Sequence, residues 1–204
     1  MPRQIPQKLV IQAVLNGIED AEKTYEQWSG GEWLAYSAEH VISGFVARSI
    51  MKIPGSQYLT IEQRCRDAIE SACGKRRGKL AQTSRPDGRI DLLLWWANNS
   101  PRAAIEIKNN VYNYNGQCEA DVDRIANLLL MSNTTLQFGL FVFYSSADDG
   151  KIKKATDKLT GRFRNVLLRA RAAWGKSLRV SGILRLHEYG NGAWAGACII
   201  MKPE

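Results

Sequence analysis

Histidine is scarce in this chain, with only His40 and His187 among 204 residues. His40 falls on the polar side of a helical pattern and His187 in a terminal strand, so both read as structural and histidine-based catalysis finds little support. The four cysteines, Cys65, Cys73, Cys118 and Cys198, form no C-x-x-C pair and have no histidine at zinc spacing, and they read as small buried thiols. No Walker-type lysine loop and no G-x-G-x-x-G follows a strand, which leaves nucleotide hydrolysis without a motif. No run of 18 apolar residues is present to span a bilayer, and no charged leader with an apolar run and small-residue cleavage site opens the chain. The expectation is a cytoplasmic protein with no membrane partner. Repeats and low-complexity tracts are missing as well, and the length suits a single domain over 1–204.

What the chain does have is positive charge gathered in one place. The formal net charge is +8, and residues 151–176, KIKKATDKLTGRFRNVLLRARAAWGK, hold nine Lys/Arg and one Asp, while the remainder balances at 19 basic and 19 acidic. On an ideal helix Ile152, Ala155, Leu159, Phe163, Val166, Ala170 and Trp174 form an apolar face. Lys151, Lys154, Lys158, Arg162 and Arg169 line one flank, and Lys153, Arg164 and Arg171 the other. Such a helix docks by its apolar side and shows two cationic rails suited to the phosphates of a polyanion, with salt-sensitive, sequence-independent contacts. The plain alternative is a solvated basic helix without a partner. Gly161 either weakens the helix or marks a kink.

Apolar spacing of Leu9, Val10, Ala13, Val14, Ile18, Ala21 and Tyr25 predicts an opening helix over 4–27, stopped by Ser29-Gly30-Gly31. A second helix is expected over 32–51, ended by Pro54-Gly55, and a third over 61–73 with a capping box at Thr60 and Gln63. After the basic connector KRRGK, strands are expected near 79–84, 89–96 and 102–108, with turns at Pro86-Asp87-Gly88 and Asn98–Pro101. A helix near 117–131 precedes LQFGLFVFY at 136–144, whose unbroken apolar character suits a buried central strand covered on both faces. The basic helix and strands near 178–188 and 193–201 complete the order ααα-βββ-α-β-α-ββ.

Within GRIDLLLWWANNSPRAAIEIK, residues 88–108, Asp91 sits on one expected strand and Glu106 and Lys108 on the next. Side chains alternate across a strand, so Glu106 and Lys108 share one face while Ile105 and Ile107 take the other, where they can fill a core. Two carboxylates suit a hard divalent cation such as Mg²⁺, and a lysine beside them can orient or deprotonate an attacking water. The plain alternative is an ion-pair ladder between paired strands.

This element order, with an acid on the second strand and E-x-K on the third, resembles the PD-(D/E)XK nuclease superfamily over residues 32–145. The resemblance implies a restriction endonuclease-like α/β core, a central mixed β-sheet flanked by α-helices. Residues 1–30 would form an N-terminal helical extension, and 146–204 the basic helix and two terminal strands. It further implies a Mg²⁺- or Mn²⁺-dependent nuclease, with Asp91 and Glu106 as metal ligands, Lys108 as the catalytic lysine and the Ile107 carbonyl as a further ligand. Asp87, in a D-G turn, has a structural explanation, so Asp91 is the aspartate chosen. Many members add a helix glutamate. Glu39, between Ala35, Ile42, Val46 and Ile50, ranks first, because a carboxylate on an apolar arc is costly unless a metal or an Arg partner offsets it. Glu62 competes, although a first-turn position already has a dipole explanation.

Gln117, Asp121 and Arg124 resemble the polar residues that members place beside the site; Gln117 is expected to position substrate or water, and Arg124 to meet a substrate phosphate or hold a carboxylate, against the alternative of a solvated first turn with an intrahelical Asp121–Arg124 pair. Lys154, Lys158, Arg162 and Arg169 would grip the backbone of nucleic acid, with DNA favoured. Trp95, Trp96, Tyr112 and Tyr114 flank the site and read as packing groups rather than base-stacking ones. Two rivals stand beside the nuclease: a catalytically silent nucleic-acid-binding protein on the same fold, and a regulatory module whose basic face meets an acidic protein. Many relatives pair up to cut two strands, so a homodimer is among the arrangements the resemblance admits.

Overall fold

The computed structural model describes residues 5–55, 57–73, 88–151 and 153–204. The element order is α1 (Gln7–Ser29), a 3-10 turn (Leu34–Tyr36), α2 (Glu39–Met51), β1 (Gln57–Arg64), α3 (Cys65–Cys73), β2 (Arg89–Trp96) and β3 (Pro101–Lys108). α4 (Gly116–Leu129), β4 (Phe138–Asp148), α5 (Ala155–Trp174), β5 (Leu178–Tyr189) and β6 (Gly192–Pro203) follow. Among the described residues six strands form one open mixed sheet in the order β1-β2-β3-β4-β6-β5. β3 and β4 run parallel, joined through α4, and the other neighbours are antiparallel. The protein is α/β, with helices on both faces of the sheet, and no helix among the described residues is long and apolar enough to cross a membrane.

Strand alternation divides the core. Leu92, Leu94, Ile105, Ile107, Leu140 and Val142 pack beneath α1 and α2, while Leu93, Ala104, Phe141 and Phe143 pack beneath α3, α4 and α5. The apolar LQFGLFVFY segment therefore becomes a central strand buried on both faces. Its Gly139 has no side chain to keep Ile125 of α4 from resting on the strand, and this close approach fixes α4 over the parallel pair. α1 ends where Gly30 and Gly31 take φ of 78° and 111°, a left-handed exit that glycine adopts without penalty. Of its predicted face only Leu9 is exposed; Val10, Val14, Ile18 and Ala21 are fully buried.

Two expected helices are corrected. Residues 57–64 are strand β1, paired with β2 from Gln57↔Trp96 to Arg64↔Arg89, so the third helix begins at Cys65 and no capping box forms at Thr60 and Gln63. Cross-strand contacts win over the helical spacing: Tyr58 stacks on Trp95 at 5.5 Å, and Trp95 donates its indole N–H to Thr60 Oγ1 at 2.9 Å. The helix expected over 32–51 is divided, because distant side chains hold the backbone of Leu34 and Ser37. Glu22 accepts the Leu34 N–H at 3.0 Å, and Asn109 donates to the Leu34 and Ser37 carbonyls at 3.0 and 2.8 Å. α5 runs unbroken through Gly161. The expected strand near 79–84, the Pro86-Asp87 positions and Ile152 lie outside the described residues.

Candidate functional site

The β2–β3 ladder ends at Leu92↔Ile105, one step before the register would set Asp91 opposite Glu106. There the strands part, and Asp91 Oδ2 accepts the Ile107 N–H at 2.6 Å. Because a strand residue turns its N–H and C=O to the same neighbour, the Ile107 carbonyl opens on the Asp91 side as well. Glu106 lies beneath α4, only 1% exposed, with Arg124 Nη1 at 2.5 Å from its Oε1. Arg124 also reaches Asp121 at 3.2 Å and the Arg89 carbonyl at 3.1 Å. Lys108, two residues beyond Glu106, bonds Glu39 Oε1 at 3.0 Å and stands 3.1 Å from Asp121 Oδ2, a charge pair without hydrogen-bond alignment. The Asn109 N–H closes on the second Glu39 oxygen at 3.0 Å.

Four carboxylates thus meet two cations. Burial pushes the Glu106 carboxyl well above its ordinary value, and Arg124 only partly offsets it against Asp91 and Asp121. Burial likewise raises Asp91 to about 6, opposed by the Ile107 N–H and Lys108 and reinforced by Glu39 and Asp121. For Lys108 burial works against the charge, yet Asp121 and Glu39 outweigh it and hold the ammonium above its usual range. A cleft of about 840 Å³ opens over this cluster, lined by Glu39, Lys108, Asn115, Gly116, Gln117 and Asp121. Asn115 caps α4 at its edge, accepting the Gln117 and Cys118 N–H groups.

Asp91, Glu106, Ile107, Lys108, Glu39 and Arg124 are therefore brought together, and Gln117 stands exposed on the cleft wall. Glu39 differs from expectation. It occupies the first turn of α2 with its side chain 39% exposed, so the cost of an apolar position lapses, and its partner is Lys108 rather than an arginine. Glu62 is corrected too: it is exposed on β1, not in a helical turn, and lies between the Ile61↔Leu92 and Gln63↔Ile90 pairs with φ 55°. Lys154, the extended N-cap of α5 rather than part of the helix, and Arg169 on α5 are exposed, whereas Lys158 and Arg162 turn inward to the end of β4. Lys158 donates to the Asp148 carbonyl at 2.8 Å, and Arg162 to Ser145 Oγ and the Ser146 carbonyl at 2.9 and 2.6 Å.

Asp121 was read beside Gln117 and Arg124, which share a helix face at i, i+4 and i+7, but its pairing with Lys108 was not foreseen. Asn109 carried no signal, since its bonds reach residues 70 to 75 positions away. Trp95 and Trp96 are packing groups as expected: Trp95 is buried against Tyr58, and Trp96 lies 4.2 Å beneath the Arg102 guanidinium. Tyr114 is half-buried, whereas Tyr112 is 58% exposed. His40 is exposed and His187 stacks on Trp194 at 3.9 Å, both apart from the cleft lining. No disulfide joins the four cysteines.

Among the described residues no group of three or more His, Cys, Asp or Glu side chains is arranged to hold a metal ion. Asp91 and Glu106 still offer hard oxygen donors, with Arg124 already paired to Glu106. A set of two carboxylates is what Mg²⁺ takes when waters and a substrate phosphate complete its shell. Comparison of the chain with family models, with curated proteins and with solved structures found no match to any of the three.

Proposed function

We propose that this protein is a metal-dependent nuclease of the PD-(D/E)XK kind that hydrolyses phosphodiester bonds, with DNA the favoured substrate. The observation that carries the reading is the parting of β2 and β3 at Asp91 and Glu106, with Lys108 at the floor of an open cleft. Asp91, Glu106 and the Ile107 carbonyl would hold Mg²⁺ or Mn²⁺, which supplies Lewis-acid activation of water and of the phosphate. Lys108, kept charged by Asp121 and Glu39, neutralises charge that develops on the phosphate oxygens. Gln117 orients substrate or water from the cleft wall. The N-terminus of α4 opens on the same cleft, and its dipole favours an anion there. Lys154, which caps α5, and Arg169 and the other exposed cations of the helix attract the nucleic-acid backbone.

The test is incubation of the purified protein with circular and linear DNA, with and without Mn²⁺. Cleavage that needs the metal, and that disappears in Glu106→Ala and Lys108→Ala while binding persists, supports the reading. Metal-independent cleavage, or cleavage unchanged in both variants, sinks it. One observation favours a silent nucleic-acid-binding protein instead: Arg124 and Lys108 already supply cations to Glu106, Asp121 and Glu39. Affinity for DNA without cleavage under either metal selects that reading.

A further inference from the structure

A second cavity, of about 530 Å³, lies where the segment leaving α1 meets the end of β4 and the chain beyond β3. Tyr36 and Tyr112 line it and are 74% and 58% exposed, an unusual outlay of aromatic surface toward water. Its rim is held in place from two directions. Glu22 fixes the Leu34 N–H, and Asn109 fixes the Leu34 and Ser37 carbonyls, so Tyr36 is carried on a short turn bonded at both ends. Asn109 follows Lys108 directly. The cavity and the cleft are thus neighbours along one stretch of chain, with Lys108 in one, Tyr112 in the other and the pinning Asn109 between them.

The charges of the cavity argue against a phosphate as its occupant. Lys158 and Arg162 line it, but so do Glu32 and Asp148, and both cations already donate to oxygens at the end of β4. What is left is a charge-balanced space with aromatic walls and polar edges. The Arg162 guanidinium lies 4.5 Å over the Tyr112 ring and covers one side of it. Flat, uncharged and hydrogen-bonding, a nucleobase matches this surface, and stacking on tyrosine tolerates any base.

We propose that the cavity receives an unpaired nucleobase from the strand whose phosphodiester lies in the Lys108 cleft, which makes single-stranded or locally unpaired nucleic acid the preferred substrate. The position of the phosphate rests on the nuclease reading. A base inside a duplex would have to leave its stack to enter, so paired substrates pay an opening cost that single strands do not.

Fluorescence anisotropy in EDTA, with a short labelled single strand and its duplex, tests the site without any need for cleavage. Tyr36→Ala and Tyr112→Ala are expected to weaken single-strand binding roughly tenfold each and to leave duplex binding within about twofold, while Tyr112→Phe binds like the parent protein. Thermal midpoints confirm that the variants fold. Unchanged single-strand affinity in both alanine variants overturns the proposal, as does an equal loss on single strand and duplex. Cleavage in Mn²⁺ is scored separately. A parent protein that cuts, with alanine variants that bind single strands normally, removes the nucleobase site and leaves the nuclease reading intact. A parent protein that never cuts, with alanine variants that lose single-strand affinity, supports the nucleobase site and removes the nuclease reading. A ribonucleotide strand bound through the same two tyrosines supports the site with RNA as the source of the base.

Discussion

Asp91 and Ile107 are joined across the gap between β2 and β3 by a side chain rather than by the backbone: the aspartate Oδ2 takes the Ile107 N–H at 2.6 Å. The bond sets the carboxylate against the strand that carries Glu106 and Lys108. An asparagine amide oxygen can accept the same N–H but carries no charge. Asp91→Asn should therefore fold with a thermal midpoint at or above that of the parent protein, while metal-dependent cleavage falls on the order of 100-fold or more. A variant that cuts at the parent rate removes Asp91 from the chemistry.

Arg124 pairs with the buried Glu106 carboxylate at 2.5 Å. Arg124→Met leaves that carboxylate buried and uncompensated, and should cost about 3–5 kcal/mol in urea unfolding. Adding Glu106→Leu removes the stranded charge and should recover most of the loss, since an apolar pair of similar volume is near neutral in such positions. A double-mutant cycle with no coupling would show that the two side chains do not sense each other.

Burial raises Asp91 to about 6 from an unperturbed 3.8, and Glu106 shifts the same way. A folded-state value above the unfolded one means that the native protein binds the extra proton. The stability contributed by Asp91 is then fully present below pH 3.8 and is lost as pH rises through about 6. Urea midpoints of the metal-free protein should fall across that window, and Asp91→Asn should flatten the slope. Added Mg²⁺ should restore stability on the alkaline side, where Asp91 is ionised. A pH profile that is the same in the parent and the variant sinks the assignment.

The cations of α5 divide into two groups with different expected behaviour. Lys154→Ala and Arg169→Ala remove exposed charges, so each should lower the salt slope of DNA binding by roughly 1 and change stability by about 0.5 kcal/mol or less. Arg162→Ala strips two donors from the end of β4 and should cost about 1–3 kcal/mol. Equal salt slopes in the exposed and inward variants would show that the inward pair also meets phosphate.

Much of the architecture was legible from period and composition. The opening helix, the strands that carry Asp91, Glu106 and Lys108, the apolar central strand and the basic helix all follow from spacing that survives folding, because each buries one face against a neighbour with the same demand. The start of the third helix, 61–64, was misread for a physical reason. Its apolar positions suit a helix, but Tyr58 and Thr60 find Trp95 across the strand, and that contact exists only once β2 is in place. Likewise the 32–51 helix is interrupted by Glu22 and Asn109, which no local pattern connects to Leu34.

The amino-acid sequence by itself determined which side chains of β3 share a face, that Ile105 and Ile107 serve the core, and that one segment, 151–176, holds the whole charge excess, since alternation and charge are local properties. Tertiary structure decided that Arg124 rather than water meets Glu106, that Glu39 and Asp121 clamp Lys108 from two different helices, and that Lys158 and Arg162 turn inward. Those pairings depend on how α2, α4 and α5 settle on the sheet. The reach of a buried charge to its partner is set by packing across the fold, not by the spacing of residues along the chain.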